Sequence, residues 1–448
     1  MTALAPQSAS LHADRLDEAA VGARKVRVLF VNDTARNGGP GRSLHAMLKF
    51  LDPALVHRAV VLPRDGAVAS LLREDAVVDE LHFVADLVEN PVQPWRRPME
   101  RRDFAAPAAL KTARVAANAL RGARALARLS SLVRRGGFDL VYCNGTTANF
   151  AGAVVAAATG APALWHVRYT SVPPAVGLLH ARLARSDAVR RILCVSRAAA
   201  SQFARCAAKV HVVHNALDLE AFDPSQVRGR LRAELGIGPD VVVVGSHGRV
   251  LRRKGYVEFV RAGRLALDRM DGAERSRVAF VVVGDTPQDF RPDHVEECKA
   301  LAGELGLLGR FHMLGFRPDV RPFVADFDLA VVPSVYADPL PRAVIESMAL
   351  AKPVVAFDVG GVSEMIEHGI TGELVPFEPG RDGEGASAVA VERLAAALAR
   401  HVRDPALRAR QGAAGRRRVE REFDARVHAR LIQREIVASS APRGGRRR

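Results

Sequence analysis

Two acids, Asp338 and Glu346, stand eight positions apart in the stretch Pro333–Ser334–Val335–Tyr336–Ala337–Asp338–Pro339–Leu340–Pro341–Arg342–Ala343–Val344–Ile345–Glu346. The apolar Leu329–Val332 before them reads as a strand and Ala343–Ala351 after them as a helix. Both carboxylates then lie beyond a strand's carboxyl end, where open α/β sheets make their ligand contacts. An ionised carboxylate only accepts hydrogen bonds, and it holds adjacent hydroxyls strongly, so neither acid has to move a proton to be useful. A solvated acid at a helix start and an ordinary helical Glu would look the same in isolation, and the neighbouring segments have to decide.

Upstream, Val241–Val244 runs into Gly245–Ser246–His247–Gly248–Arg249–Val250–Leu251–Arg252–Arg253–Lys254–Gly255. This is an apolar strand opening into a glycine-containing loop with a cation near each end. Arg249 offers a planar fork to phosphate oxygens, Lys254 a compact charge, and the glycines allow backbone to approach an anion closely, so the loop can grip a diphosphate. A basic turn alone is usually just solvated. Here a helical stretch, a second apolar strand ending Val283–Gly284–Asp285 and the paired acids follow in order.

In that order, across roughly residues 25–437, the chain resembles the retaining glycosyltransferases of the two-Rossmann-domain (GT-B) type, in the large group 1/family 4 set that carries an acid-x7-acid motif. The resemblance rests on Asn37–Gly38–Gly39, Trp165–His166–Val167, Cys194–Val195–Ser196, Asn215–Ala216–Leu217–Asp218, Gly248–Arg249 with Lys254–Gly255, and Gly284–Asp285. It continues through Leu314–Gly315–Phe316, Pro333–Ser334, the Asp338/Glu346 pair, Gly360–Gly361–Val362–Ser363–Glu364 and Gly369–Ile370–Thr371–Gly372. It implies that Glu346 receives the ribose hydroxyls of a nucleotide, that Asp338 reads hydroxyls of the donor sugar, and that His166 faces that sugar across the cleft. The implied catalytic set is His166, Arg249, Lys254 and Asp338, and the donor site comprises Gly248, Arg249, Lys254, Asp338, Leu340, Arg342 and Glu346. Asp338 stands where the family commonly has Glu, which sets its carboxylate back by about 1.5 Å. Pro339 and Pro341 replace a Phe–Gly type segment and have no N–H to offer, leaving Leu340 and Arg342 as the backbone donors there.

The elements that must position these residues alternate between strand and helix along the whole chain, which predicts an α/β fold with parallel sheets wrapped by helices. Six strands are expected before residue 220 and six after: Val26–Val31, Ala59–Leu62, Leu140–Cys143, Ala163–Val167, Arg191–Val195 and Lys209–Val213, then Val241–Gly245, Val278–Val283, Phe311–Leu314, Leu329–Val332, Pro353–Phe357 and Gly372–Val375. The expected division is an extension at 1–24, an N-terminal Rossmann-like acceptor domain at 25–222, and a C-terminal nucleotide-sugar donor domain at 223–413. A helix at 414–437 crosses back onto the first domain, as the resemblance implies, and a basic tail occupies 438–448; the extension and tail are expected to be disordered. Between the first strand and the helix Ser43–Leu51, the turn Asn37, Gly38, Gly39, Gly41 and Arg42 can receive a phosphate or an acceptor oxygen at a helix N-terminus.

The 448 residues carry a formal charge of +16. Ten arginines and Lys111 lie between Arg96 and Arg135 against only Glu100 and Asp103. In a helix beginning near Ala105, Lys111, Arg114, Arg121, Arg124 and Arg128 share a face beside Val115, Leu126, Leu129 and Val133. This segment, 105–133, reads as a basic amphipathic helix for an anionic membrane surface or lipid-linked acceptors, or as a solvated face. Aromatics do not interleave with the basic residues, which argues against nucleic acid. No apolar run reaches a membrane span and Met1–Ala20 lacks a secretory pattern, so the expected place is cytoplasmic, peripheral on the inner face of the membrane. Cys143, Cys194, Cys206 and Cys298 are widely spaced and read as reduced and structural. Asp326–Phe327–Asp328 resembles a metal-binding Asp-x-Asp, but it precedes its strand, at the sheet edge opposite the ligand crevice. No metal and no cofactor is expected, the nucleotide sugar being a substrate. The expected activity is metal-independent, retaining transfer of a sugar to a lipid-linked or polysaccharide precursor such as that of lipopolysaccharide. A catalytically silent sugar-nucleotide-binding subunit and a sugar-nucleotide epimerase stand as alternatives.

Overall fold

The computed structural model describes residues 24–36, 38–87, 108–287, 293–381 and 383–441. Asn37, the arginines between 96 and 102, the side chain of Lys111, and residues 1–23 and 442–448 of the two expected disordered termini lie outside the described residues. Every one of the twelve expected segments is a strand, and the described residues form one more. The first sheet has seven parallel strands, β1 (Val26–Asn32), β2 (Val56–Leu62), β3 (Glu80–Phe83), β4 (Leu140–Asn144), β5 (Ala163–Val167), β6 (Val189–Cys194) and β7 (Val210–Val212), in the order 3-2-1-4-5-6-7. The second has six, β8 (Val242–His247), β9 (Val278–Val283), β10 (Phe311–Met313), β11 (Leu329–Val332), β12 (Val354–Asp358) and β13 (Gly372–Pro376), in the order 10-9-8-11-12-13. The unexpected strand, β3, is a short edge whose Glu-Leu-His-Phe sequence has no apolar run and no fully buried residue, so it carries no strand pattern to read.

Helices cover both faces of each sheet, and that is why β4, β9 and β11 are buried along their whole length and read as continuous hydrophobic runs. In each sheet the strand order reverses once, between β1 and β4 and between β8 and β11. These reversals are where a crevice opens beyond the carboxyl ends of a doubly wound sheet. The loops that leave them carry the glycine turn, the Gly248–Lys254 cations and Asp338.

The helix expected over 414–437 is two helices. Pro405–Glu422 stays with the second domain against the helix Arg342–Ala349, while Ala425–Ser440 lies on the first, burying Ala429, Ile432 and Ile436 in the core of Val28, Phe30 and Leu44. The break falls at Phe423, whose φ of −131° leaves the helix, and at Asp424, whose carboxylate caps the next helix through the amide of Arg426. The second helix runs on through Ser440, past the expected start of the tail, and Arg190 donates to the carbonyls of Ser439 and Ala441. Where the chain crosses between domains, its two passages are joined: Leu217 donates to the Phe423 carbonyl and accepts from the Ala425 amide, both at 2.9 Å.

Gly255, between the cationic loop and the helix Tyr256–Asp268, has a φ of +74°, and a Cβ there would lie 1.8 Å from the Pro333 carbonyl oxygen. Gly255→Ala is expected to lower the apparent melting temperature by about 4 °C or more, because strain of about 1–3 kcal/mol falls on one backbone junction. Differential scanning calorimetry checks this, and an unshifted transition would mean that the loop moves independently of Pro333.

Candidate functional site

Asp338 is buried at 6% exposure, and a buried carboxylate needs a partner. Lys254 donates to its Oδ2 at 2.5 Å and the Tyr336 hydroxyl donates to the same oxygen at 2.8 Å. Burial opposes the charges of both members of this pair. Their mutual attraction outweighs it, holding the Asp338 carboxyl below its ordinary range and lifting the Lys254 ammonium above its own. The Tyr336 ring also lies under the Arg253 guanidinium at 4.8 Å and the Lys254 ammonium at 5.4 Å. The Val335 amide donates to the Arg253 carbonyl at 3.0 Å, so the loops after β8 and β11 form one unit.

Glu346, at 5% exposure, is held on both oxygens: Arg342 Nε donates to Oε1 at 3.1 Å, and His247 Nε2 lies 3.0 Å from Oε2. Burial pushes its carboxyl up, and Arg342 and His247 more than reverse this, bringing it down to about 2. The i to i+4 spacing on Arg342–Ala349 makes the first contact, and His247 at the end of β8 makes the second. Arg342 also donates to Ser43 Oγ at 3.2 Å and to the Ala216 carbonyl at 3.3 Å, both in the first domain.

Of the remaining expected residues, Gly248 is exposed with a φ of +135°, and Arg249 after it is partly buried within the field of the Tyr256 hydroxyl. Leu340 is buried and its carbonyl accepts from Asn215 Nδ2 at 3.1 Å. Gly38 precedes the helix Gly39–Phe50, and Gly39 lies within 3.8 Å of the Arg342 side chain for an added Cβ. A Cβ on Gly41 would lie 2.5 Å from Val68, so that glycine lets two helices approach. Arg42 donates to the Pro318 carbonyl across the cleft at 3.0 Å. His166 is buried. Its Nδ1 lies 2.5 Å from the Tyr142 hydroxyl, and burial holds its ring well below the usual histidine range. The Arg168 guanidinium, which only donates, also lies 3.3 Å from Nδ1, so Nδ1 accepts and Nε2 carries the proton, and that buried Nε2 has no partner among the described residues. Asp326 and Asp328 accept from the amides of Arg232 and Val243 and from the Arg232 side chain, at the edge away from the cleft.

Sequence reasoning missed His247, Tyr336, Asp33, Glu364 and Arg168. Asp33, just beyond β1, accepts from the amides of Thr147 and Ala148 at the start of the helix Thr146–Thr159. Glu364 accepts from the amides of Arg197 and Ala198 and meets His214, closing the far side of the cleft. Arg168 contacts Asn144 at 2.6 Å and Asn215. Glu364, His247 and Tyr336 lie inside the quoted segments, and Tyr336 acts on Asp338 only two residues on, whereas Asp33 and Arg168 depend on residues far away in sequence.

Residues 108–221 match the family model described as Glycosyltransferase Family 4, and residues 238–400 the model described as Glycosyl transferases group 1. The structure of Anabaena Alr3699/HepE in complex with UDP and glucose covers 92% of this chain and all of its own, with a TM-score of 0.70 at 23% identity. The fold is that of the GT-B glycosyltransferases. Among curated proteins, the alpha-maltose-1-phosphate synthase of Mycobacterium tuberculosis is 35% identical over 222 residues, 48% of this chain and 53% of that protein. The D-inositol 3-phosphate glycosyltransferase 1 of Catenulispora acidiphila is 31% identical over 273 residues, 56% and 63% of the two chains. The chain spans about half the length of the curated relatives it matches first.

The Glu346 carboxyl, at about 2, sits below its ordinary value of 4.5, so its stabilisation is complete above pH 4.5 and fades as the pH falls toward 2. Glu346→Gln, which strands Arg342 and His247, is expected to melt several degrees below wild type at pH 7. The gap should narrow steadily below about pH 4.5. Thermal melts from pH 7 to 3 check this, and a gap that stays constant would show that the ion pair contributes nothing.

Proposed function

We propose that the chain is a retaining, metal-independent glycosyltransferase that moves a sugar from a nucleotide-sugar donor to a lipid-linked or polysaccharide precursor. The observation that carries the reading is the arrangement at the β8/β11 reversal, where Asp338 with Lys254 and Glu346 with Arg342 and His247 stand side by side, facing the β1/β4 reversal of the other domain. Glu346 keeps acceptor capacity for ribose hydroxyls and Asp338 for those of the sugar, since a carboxylate offers about four lone-pair sites. Lys254, kept charged by Asp338, and Arg249 are the fixed cations for the departing diphosphate. Preorganised charge of this kind supplies what a metal would otherwise supply. A role for His166 toward the sugar is supported by its unpartnered Nε2, which can donate one hydrogen bond. The UDP and glucose named for the Anabaena structure are consistent with such a donor.

Arg249→Ala is expected to reduce transfer by about a hundredfold or more, with the wild type retaining its activity in excess EDTA. A panel of nucleotide sugars, assayed for sugar transfer and for hydrolysis, gives the measurement. Near-normal turnover by folded Arg249→Ala, or loss in EDTA with recovery on manganese, would overturn this mechanism.

Support for a membrane-borne acceptor lies in the helix Ala108–Gly136. Its later half packs Leu129 and Val133 into the core, with Leu126 partly buried, and Arg121 and Arg128 turn to Asp86. Its first half leaves Val115 41% and Leu120 55% exposed, and no described helix is long and apolar enough to cross a membrane. Lys111, Arg114 and Arg124 changed together to Gln should abolish most flotation with anionic vesicles at low salt, each cation adding about 1 kcal/mol near such a surface. UDP binding, measured alongside, should be unchanged. Equal flotation of the two proteins would leave this helix an ordinary solvated face.

A further inference from the structure

Three arginines converge on the cleft at one scaffold. Arg168, one residue beyond β5, donates through Nε to Asn144 Oδ1 at 2.6 Å and through one terminal nitrogen to Asn215 Oδ1, and its other terminal nitrogen lies 3.3 Å from His166 Nδ1. Arg342, on the opposite domain, donates to the carbonyl of Ala216, the residue after Asn215, and to Ser43, the residue after Arg42. Arg42 in turn reaches across to the Pro318 carbonyl. Asn215–Ala216 and Arg42–Ser43 thus bring a cation from the end of β5, another from the helix Gly39–Phe50 and a third from Arg342–Ala349 around one point between the domains.

Among the described residues, charge around Arg168 and Arg342 does not balance. Glu346 is the single carboxylate bonded to Arg342, and it is shared with His247. The hydrogen-bond partners of Arg168 are two amide oxygens and a neutral imidazole. Burial pulls its guanidinium down to about 10, and the neighbouring Arg342 pulls the same way. A partly buried guanidinium held by neutral groups beside a second cation is costly, and an oxyanion fitted between them relieves that cost. After its three contacts Arg168 still has two N–H groups to give. The N-terminus of the twelve-residue helix Gly39–Phe50 adds partial positive charge on the same side.

Resting on the glycosyltransferase reading above, we infer that the acceptor carries an oxyanion, and that Arg168, with Arg342 and Arg42, is the group that recognises it. The donor diphosphate has its own cations in Arg249 and Lys254 on the loop after β8. Arg168 and Arg42 belong to the other domain, where the acceptor enters. Through Asn215, which also donates to the Leu340 carbonyl, Arg168 is tied to the loop of Asp338, so seating the anion would align the acceptor with the donor sugar.

Calorimetry tests the inference with inorganic phosphate, glucose 1-phosphate and glucose, each titrated into protein with and without saturating UDP. Wild type should bind the two phosphates at least about tenfold more tightly than glucose, the worth of one charged hydrogen bond. Arg168→Gln should bring the three within about threefold of one another while UDP affinity changes by less than threefold; Arg168→Lys should restore part of the preference. If Arg168→Gln does not fold by its melting profile, Arg42→Gln is expected to weaken phosphate in the same direction. No preference for the phosphates in wild type, or no binding of them, overturns the inference. So does a tenfold loss of UDP affinity in Arg168→Gln, which would assign these cations to the donor diphosphate. Failure of wild type to bind UDP at all would instead refute the donor reading, and the nucleotide-free phosphate titrations would still decide the anion site.

Discussion

Burying two carboxylates on one face of a domain is possible only when each has its own cation, and that requirement shapes the centre of this protein. Asp338 has Lys254, and Glu346 has Arg342 together with His247. Removing either cation would leave an uncompensated buried charge, a far larger cost than the net gain from making the pair. The pairs also set the geometry of the loops. Lys254 can reach Asp338 only because Gly255 lets the backbone turn against Pro333, and because the Val335 amide fastens the second loop to Arg253.

The same pairing couples the domains. Arg342 uses one side of its guanidinium on Glu346 and extends the other to Ser43 and Ala216, so the acid expected to meet a ribose is linked to the opposite wall of the cleft. Glu364 caps the short helix at Arg197 from the other domain, and Thr170 donates to the Ala337 carbonyl. Behind these contacts Leu217 joins the two chain crossings at Phe423 and Ala425. The domains are thus joined by polar contacts across the cleft and by apolar packing behind it, which runs from Leu217 to Leu340 and Val344.

Much of the architecture was legible along the chain because a buried parallel strand has a local signature. Valine-rich runs such as Val278–Val283 are apolar on both faces, and the twelve expected segments are strands even where, as at Lys209–Val213 and Phe311–Leu314, the strand is only partly buried. What lacked the signature was missed: Glu80–Phe83 is held by its partner strand and by the contacts of Glu80 with Arg27, His57 and His82 rather than by apolar burial. The crossover helix was read as continuous because Ala414–Val437 keeps a helical pattern throughout. Its break at Phe423–Asp424 answers to a partner, Leu217, that is two hundred residues away.

For the site, the sequence by itself determined the chemical inventory and the loops that bear it: two acids after β11, cations after β8, a glycine turn after β1. Types and spacing suffice there because loops at strand ends are local. Only the tertiary structure decided the pairings, since a sequence cannot say which cation meets which acid. It set Lys254 on Asp338 and brought His247 and Arg342 to the two oxygens of Glu346. It also turned the Nδ1 of His166 to Tyr142 and placed Arg168 among neutral partners at the interdomain seam. Such contacts join residues as many as 299 positions apart. The balance of buried charge is settled by the packing of whole domains, to which local pattern carries no reference.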